Sequence, residues 1–459
     1  MNILYIGGGF VGSCSAAVAA DSGHNVLVYD IDSEKVDKLG SGDYQQIESC
    51  LFEDGLAELL IRHKDRITFS NKYDDVIAWL ETCDAVFMCI QTPEVGETGE
   101  SNLKYYNLAA EQLADALAKR NSAEQSKYVL IVNKSTVPID MVDGTAEIMN
   151  SRAVVNYGVV SNPEFLVEGK AIQGSIQPDR VVVGAWNQKD FEIMRQLYER
   201  FYVAPTVEYI EVNPREAAAG KLLANFYLFA KLSICFDVIG RTCESFDEVG
   251  FENVRKILIS EKRIGNWGFY NSLYAGGSCF IKDARSLAHQ LTGAGKDASL
   301  VQEVYEANKR QLSTFINRAE QEAGIEWSGK QVALLGVAFK RSTNDVRNSS
   351  SIDIVSRMQE AAVGSVSIFD PQGAEMFKQF VPNQDKLMYA HSAKDAIQDA
   401  DIIIIATDWP EFANIADYIS ADKKRIILDG RRMLHTRYKD LVAAGHTILA
   451  VGSPIMKPE

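Results

Sequence analysis

The chain opens on an apolar run, Asn2 to Ile6, that stops at Gly7, Gly8 and Gly9 and is followed by an Ala- and Val-rich segment from Phe10 to Ser22. A short apolar run bounded by glycine reads as a buried strand, and the longer segment has helical character. Asn25 to Tyr29 is then a second strand, so the chain begins as a βαβ unit. Strand-like runs at Ala85 to Ile90, Tyr128 to Asn133 and Val154 to Val160 alternate with helical segments, the rhythm of a doubly wound parallel sheet. From Gln331 that rhythm returns in QVALLG, SVSIFD, DIIIIAT and RIILDG, each a strand meeting a ligand-facing turn, but without a glycine fingerprint. Between the two regions Glu216 to Arg241 lacks Pro and predicts a long, mostly apolar helix, with helical character continuing through Asp247 to Ser260. Its apolar stripe fits a buried core or a dimer face equally well. The predicted fold is α/β: two Rossmann-like doubly wound parallel-sheet domains joined by a long central helix. The expected boundaries are 1–205 for an N-terminal dinucleotide-binding domain, 206–315 for a central helical and dimerisation region, and 316–459 for a C-terminal α/β domain.

Composition narrows the class. At 459 residues the chain exceeds one ordinary core. Its 46% hydrophobic and 24% charged residues are those of a globular protein. A formal net charge of -15 argues against nucleic acid as a partner while leaving anionic small molecules open as substrates. Seven cysteines without a C-x-x-C pair or a Cys/His cluster fit neither a disulfide framework nor a zinc site, so no metal is expected and a reducing cytoplasm is the natural setting. MNILYIGGG enters a strand with no basic n-region, and no apolar stretch approaches the roughly 20 residues of a membrane span, so no membrane partner is expected.

Five constellations carry chemistry. Gly7, Gly9 and Gly12 form G-x-G-x-x-G between a strand and a helix start, where backbone amides and the helix dipole suit a pyrophosphate. Asp30 ends the next strand, where a carboxylate accepts ribose hydroxyls and repels a 2'-phosphate, favouring NAD over NADP. KSTVP (Lys134 to Pro138) and NPEFLVEG (Asn162 to Gly169) each follow a strand, and Glu164 and Glu168 would share a helical face at i, i+4, offering a carboxylate for acid/base work. Lys221 and Asn225, also i, i+4, place a cation and an amide where an oxyanion could be stabilised; taken in isolation, these pairs read more readily as a solvated face or a cap. In GGSCFIKD (Gly276 to Asp283), Cys279 follows two glycines and precedes Lys282 and Asp283, which could activate it, although taken alone such a Cys is more often a small buried residue.

Ten motifs in order run from GGGFVG at Gly7 through CIQTP at Cys89, KSTVP, NPEFLVEG, PDRVVVG at Pro178 and GGSCFIKD. They continue with GVAFK at Gly336, TNDVRNSS at Thr343, the Asp408-Trp409 turn and DGRRML at Asp429. By these the chain resembles the UDP-glucose/GDP-mannose dehydrogenase superfamily nearly end to end. The resemblance implies an NAD-dependent oxidation of the C6 alcohol of a sugar nucleotide to a carboxylate, without release of the aldehyde. It implies Cys279 as the nucleophile that passes through a thioester, Lys221 and Asn225 at the oxyanion, Asp283 and Thr136 at the alcohol proton, and Glu164 at the hydrolytic water. Cofactor contacts are implied at Gly7, Gly9, Phe10, Val11, Gly12, Asp30, Lys35, Thr92, Thr136, Glu168, Lys282 and Arg347. Substrate contacts are implied at Glu164, Phe165, Leu166, Lys221 and Asn225, in the loop at Phe269, Tyr270, Asn271, Ser272 and Gly276, and at Lys340 and Arg431. Arg263 matches an arginine donated by a neighbouring subunit, which implies a homodimer.

The chain also departs from the family. Phe236-Asp237 stands where Asn-Glu is usual, Gly268-Phe269 and Tyr274-Ala275 alter the substrate loop, and Asn344 and Asn348 replace acidic residues around Asp345 and Arg347. PDRVVVG, RIGN and GGSCF resemble the UDP-glucose branch more than the GDP-mannose branch. The altered loop keeps GDP-mannose as the alternative substrate, and a noncatalytic nucleotide-binding sensor of the same fold is the alternative of another class.

Overall fold

The computed structural model describes residues 1–120 and 127–459. They form two compact units, Met1–Ala224 with His289–Ala294 and Asn225–Ala288 with Gly295–Glu459.

The first unit carries eight strands: β1 (Asn2–Ile6), β2 (Asn25–Tyr29), β3 (Ile67–Ser70), β4 (Ala85–Met88), β5 (Val129–Asn133), β6 (Tyr157–Ser161), β7 (Arg180–Gly184) and β8 (Glu208–Val212). Their order is 3-2-1-4-5-6-7-8. The first six reproduce the dinucleotide-binding order with its switch point between β1 and β4. Pairing is parallel, with Leu4 opposite both Leu27 and Val86, except at β6–β7, where Ser161 meets Gly184 antiparallel. Side chains alternate between two buried faces. Ile3, Tyr5, Val26, Val28 and Phe87 enter one core, while Leu4, Ile6, Leu27, Val86 and Met88 enter the other. A sheet buried on both faces needs continuous apolar strands, and β4 is buried at every position.

The second unit repeats the pattern with β9 (Gln331–Leu335), β10 (Ser365–Phe369), β11 (Leu387–Tyr389), β12 (Ile402–Ile405), β13 (Ile426–Asp429) and β14 (Thr447–Ala450). All pairs are parallel in the order 11-10-9-12-13-14, the same winding as the first six strands. Asp30 and Asp370 follow the equivalent strands, and both tie down the preceding loop. Asp30 Oδ2 accepts from the Gly8 amide, whereas Asp370 Oδ2 accepts from the Val337 and Ala338 amides and the Trp409 indole. The second carboxylate is consumed by its own fold.

The first compact unit runs past residue 205 to Ala224 and includes β8, hydrogen-bonded to β7. Several expectations about individual elements are corrected. Val154 does not start β6, because Asn156 takes a left-handed φ of +56° and breaks the run. The long helix spans Pro214–Ile234, continues as one wide π turn (Cys235–Gly240) and ends in Arg241–Ser245. It starts at a reciprocal cap in which Asn213 Oδ1 accepts from the Glu216 amide and Glu216 Oε2 from the Asn213 amide. Helix is then lost until Phe251–Ile259, Glu248 standing at φ +62°. Because the π turn prolongs it, Pro214–Ser245 is long and apolar enough, by length and composition alone, to cross a membrane, contrary to the run-length reading. A long buried or interface helix has the same composition.

Candidate active site

In the first unit the strand–turn–helix at β1 has the geometry of a pyrophosphate cradle. Gly7 lies at φ +107°, and a Cβ there would stand 2.3 Å from the Cys89 carbonyl oxygen. A Cβ on Gly12 would lie 1.9 Å from the Gly7 oxygen, whereas one on Gly9 would meet nothing within 4 Å. Two glycines thus permit backbone packing and the third leaves room for a ligand. Gly9 precedes the Phe10–Asp21 helix with no capping side chain, so the amides of Phe10, Val11 and Gly12 in the first turn remain for an anion. Lys35, implied as a cofactor contact, pairs with Asp30 at 3.1 Å, and Asp30 Oδ1 accepts from the Asp32 amide. These residues fit a bound dinucleotide.

Hydrogen bonds tie the loops after β4 and β5 together. Thr92 donates to the Thr136 carbonyl at 2.7 Å, and Ser135 to those of Met88 and Ile90. NPEFLVEG is not helical. Pro163 and the left-handed Gly169 (φ +80°) keep it extended, so Glu164 and Glu168 do not share a helical face. Instead the Leu166 amide donates to Glu164 Oε2, and the buried Glu53 carboxylate accepts from the Gly169 and Ala171 amides. Glu164 Oε1 lies 3.8 Å from Lys221 Nζ, both side chains largely buried. Phe165 is flanked by the Arg180 guanidinium at 4.0 Å and by Lys221 Nζ at 5.2 Å, while Leu166 packs at the margin of the sheet core.

Sequence reasoning assigned no role to Lys134, yet it is buried and donates to Asn162 Oδ1 at 3.1 Å, where Tyr198 also donates. Burial pushes its ammonium below the ordinary value, with Glu164 and Cys89 opposing. Its only sequence signal is membership of KSTVP.

In the second unit Cys279 immediately precedes the Phe280–Gly293 helix, its carbonyl accepting from the Asp283 amide at 2.9 Å. A group at a helix N-terminus lies near the positive end of the helix dipole. Of the seven cysteines, all among the described residues, Cys279 alone is exposed. Burial pushes the thiols of Cys83, Cys89 and Cys235 up to about 12, which leaves them inert. Asp283 is 1% exposed: Asn225 Nδ2 donates to its Oδ2 at 2.6 Å, and Lys282 Nζ stands 2.8 Å from its Oδ1 as an ion pair. Asn225 and Lys282, implied for the oxyanion and the cofactor, are therefore brought to the carboxylate one helical turn from the thiol.

The loop around Phe269 to Gly276, implied for substrate, is held by residues that its sequence does not announce. Asn308, 2% exposed, accepts from the Ala275 amide at 2.7 Å and donates to the Ala275 carbonyl at 3.2 Å. Phe269, Asn271 and Ser272 are buried and Tyr270 is exposed, its carbonyl accepting from the Cys235 thiol. Arg431 donates to Ser272 Oγ at 2.6 Å and pairs with Asp408 at 2.7 Å. Burial alone would raise the Asp408 carboxyl, but Arg431 and Arg341 outweigh it and hold it below its ordinary value. Lys340 Nζ lies 5.4 Å from the Phe339 ring centre, and Arg347 makes a bidentate contact with the buried Asp345 carboxylate. Gly276 packs against the Asn348 carbonyl oxygen, which its Cβ would meet at 2.3 Å. Arg263 is almost fully exposed and pairs with Glu261, two positions before it. Among the described residues no three His, Cys, Asp or Glu side chains are grouped to hold a metal ion.

A dinucleotide cradle at the edge of one wound sheet, and in the other unit an exposed thiol one helical turn from a buried carboxylate, fit an NAD-dependent dehydrogenase. The profile of the UDP-glucose/GDP-mannose dehydrogenase family matches in three parts: its NAD binding domain over residues 1–202, its central domain over 215–310 and its UDP binding domain over 333–436. UDP-glucose 6-dehydrogenase AglM of Haloferax volcanii is 32% identical over 96% of this chain and 100% of its own, and TuaD of Bacillus subtilis is 31% identical over 99% and 94%. A UDP-glucose dehydrogenase from Pyrobaculum islandicum superposes with a TM-score of 0.85 at 28% identity, covering 95% of each chain. The chain belongs to the UDP-glucose/GDP-mannose dehydrogenase family. It is an NAD-dependent oxidoreductase that binds a nucleotide sugar.

Proposed function

We propose that the enzyme oxidises the C6 alcohol of UDP-glucose to the carboxylate of UDP-glucuronate through a thioester on Cys279. The observation that carries the reading is the exposed thiol at a helix N-terminus with Asp283 one turn away. Gly7, Gly9, Phe10, Val11, Gly12, Asp30 and Lys35 would hold NAD, which would supply the hydride acceptor, twice per sugar. Thr92, Glu168, Lys282 and Arg347 complete that binding set in this reading.

Asp283, with Thr136 through a water, takes the C6 hydroxyl proton while one C6 hydrogen leaves as hydride to the nicotinamide that the cradle would hold, giving the aldehyde, and Asn225 orients the Asp283 carboxylate for that task. The Cys279 thiolate then adds to the C6 aldehyde carbon, forming a C–S bond and a thiohemiacetal oxyanion, which the Lys221 ammonium stabilises. Loss of the C6 hydrogen as hydride leaves the thioester. Water, deprotonated with the help of Glu164, adds to the thioester carbonyl; the C–S bond breaks, the carboxylate leaves and the thiol is regenerated. Phe165, Leu166, Phe269, Tyr270, Asn271, Ser272, Gly276, Lys340 and Arg431 hold the sugar nucleotide.

UDP-glucose is favoured by the names of relatives at 31% and 32% identity, all UDP-glucose 6-dehydrogenases. Following NADH with a panel of sugar nucleotides tests the choice: UDP-glucose should give two NADH per sugar and the highest kcat/KM. Faster turnover of GDP-mannose would transfer the assignment to the alternative, and no turnover of any sugar would favour the sensor.

The working form in this reading is a homodimer. Tyr227, Ile234 and Val238, spaced to share one face of the long helix, are 68%, 51% and 57% exposed. The solvent-directed Arg263 suits donation to a second chain. Light scattering should give twice the chain mass, and Tyr227→Glu should halve it; a monomeric wild type at micromolar concentration would refute the dimer.

A further inference from the structure

The Gly276-Gly277 turn that leads to Cys279 is fixed by the segment Arg347-Asn348. The Gly277 amide donates to the Arg347 carbonyl at 3.2 Å, and Asn348 Nδ2 donates to the Gly277 carbonyl at 3.1 Å, so both polar backbone groups of Gly277 are engaged by two consecutive residues. The approach is close on both sides. A Cβ on Gly276 would stand 2.3 Å from the Asn348 oxygen, and one on Gly277, at φ +84°, would stand 3.0 Å from the Phe339 ring. The clamping segment is itself rigid: the Arg347 amide and guanidinium both bind the Asp345 carboxylate, which is 1% exposed, and the Asp345 amide donates to Thr343 Oγ1.

Asn348 adopts φ +52°, a left-handed conformation that a side chain occupies at a cost and that Asn tolerates better than most. That backbone aims the amide at Gly277. From Gly277 only Ser278 intervenes before Cys279, whose carbonyl is anchored by the Asp283 amide at the helix start. The thiol therefore sits between two fixed points, and one of them depends on a side-chain amide donor.

We propose that Asn348 is a positioning residue for the Cys279 thiol, acting through its hydrogen bond to the Gly277 carbonyl. The proposal rests on Cys279 as the nucleophile and adds a residue to which neither the motifs nor the relatives' names assign a role. An acidic residue is usual at this position in the family, so the amide donor to Gly277 is a feature of this chain's own turn; here an aspartate at 348 keeps the size and tolerates the left-handed backbone but turns that donor into an acceptor facing a carbonyl. A glycine accepts φ +52° without strain and deletes the donor, so its effect is free of backbone cost.

The test uses the full-length enzyme with Asn348→Asp and Asn348→Gly. Four quantities are read: kcat, KM for NAD and UDP-glucose, melting temperature, and the pH dependence of Cys279 alkylation by iodoacetamide, followed by peptide mass. Both variants should lose about tenfold in kcat with KM values within about twofold, as expected when a reacting atom is misplaced while ligand binding stays intact. The alkylation rate should change in both, and in Asn348→Asp its pH midpoint should move up, because the new carboxylate disfavours the thiolate. Wild-type kcat in both variants, or superimposable alkylation profiles, would overturn the proposal. So would a parallel fall of kcat, both affinities and melting temperature, which is what a purely structural residue gives. Full acid-forming turnover by Cys279→Ala would instead overturn the nucleophile reading and with it the clamp's catalytic purpose, while the alkylation profiles would still report whether the clamp holds the thiol.

Discussion

Cys279→Ala is expected to lose acid-forming turnover by at least about a thousandfold, roughly 4 kcal/mol of transition-state stabilisation, while folding and binding NAD normally. Without the sulfur no covalent bond holds the aldehyde, so oxidation should stop after one NADH per sugar where the wild type gives two. Cys279→Ser should behave similarly, because a serine hydroxyl is a poor nucleophile unless a neighbouring base takes its proton. Neither change should lower stability. The side chain is exposed, and the position directly precedes a helix, where serine ranks among the best capping residues. The melting temperature of the Ser variant should therefore equal or exceed that of the wild type. Product stoichiometry with intact-protein mass is the decisive measurement: two NADH per sugar at the wild-type rate from Cys279→Ala would make this thiol structural and end the thioester mechanism.

The second large effect is expected at Gly7, and it concerns folding as well as cofactor. An alanine there must adopt φ +107° and place its Cβ 2.3 Å from a backbone oxygen of Cys89, an atom that cannot rotate away as a side chain could. Left-handed strain and the forced shift of the neighbouring strand end together should cost roughly 2–4 kcal/mol. For a unit of this size that is a fall of roughly 5–10 °C in the transition of the first unit. Gly9→Ala separates the two roles of the turn. Its Cβ meets nothing within 4 Å, so stability should hold while NAD affinity falls, because the methyl occupies the space in which the pyrophosphate approaches the backbone. Calorimetry with and without NAD reads both. A Gly7→Ala protein that melts and binds NAD like the wild type would show that the loop relaxes freely and that the cradle is not as tightly built as its backbone contacts require.

The two effects differ in how far each was visible before folding. The turn at Gly7 lies in an unbroken local pattern, strand then glycines then helix, and the observed β1 and β2 fall where the apolar runs place them. The same holds for β9, β12 and β13, whose apolar runs are buried on both faces, and for β10, where buried Val366 and Ile368 alternate with half-buried serines. Strands with weaker signals escaped: β8 is half-exposed throughout, and β11 has only three residues. NPEFLVEG shows the limit of spacing as evidence. Two glutamates at i, i+4 suggest a shared helical face, yet Pro163 and the left-handed Gly169 keep the segment out of a helix.

What the sequence by itself determined was the pair of wound sheets, the dinucleotide turn, the family and the residue types available for chemistry, since these follow from local periodicity and from motifs that a short stretch carries whole. Only the tertiary structure decided the partners. Asn225 meets Asp283 across 58 positions and Arg431 meets Ser272 across 159, while Asn308 grips Ala275 and Asn348 grips Gly277. No local pattern encodes these pairs. A buried carboxylate, amide or carbonyl must find a partner to offset its lost hydration, but which one it finds depends on where the packed sheets and helices bring distant side chains together.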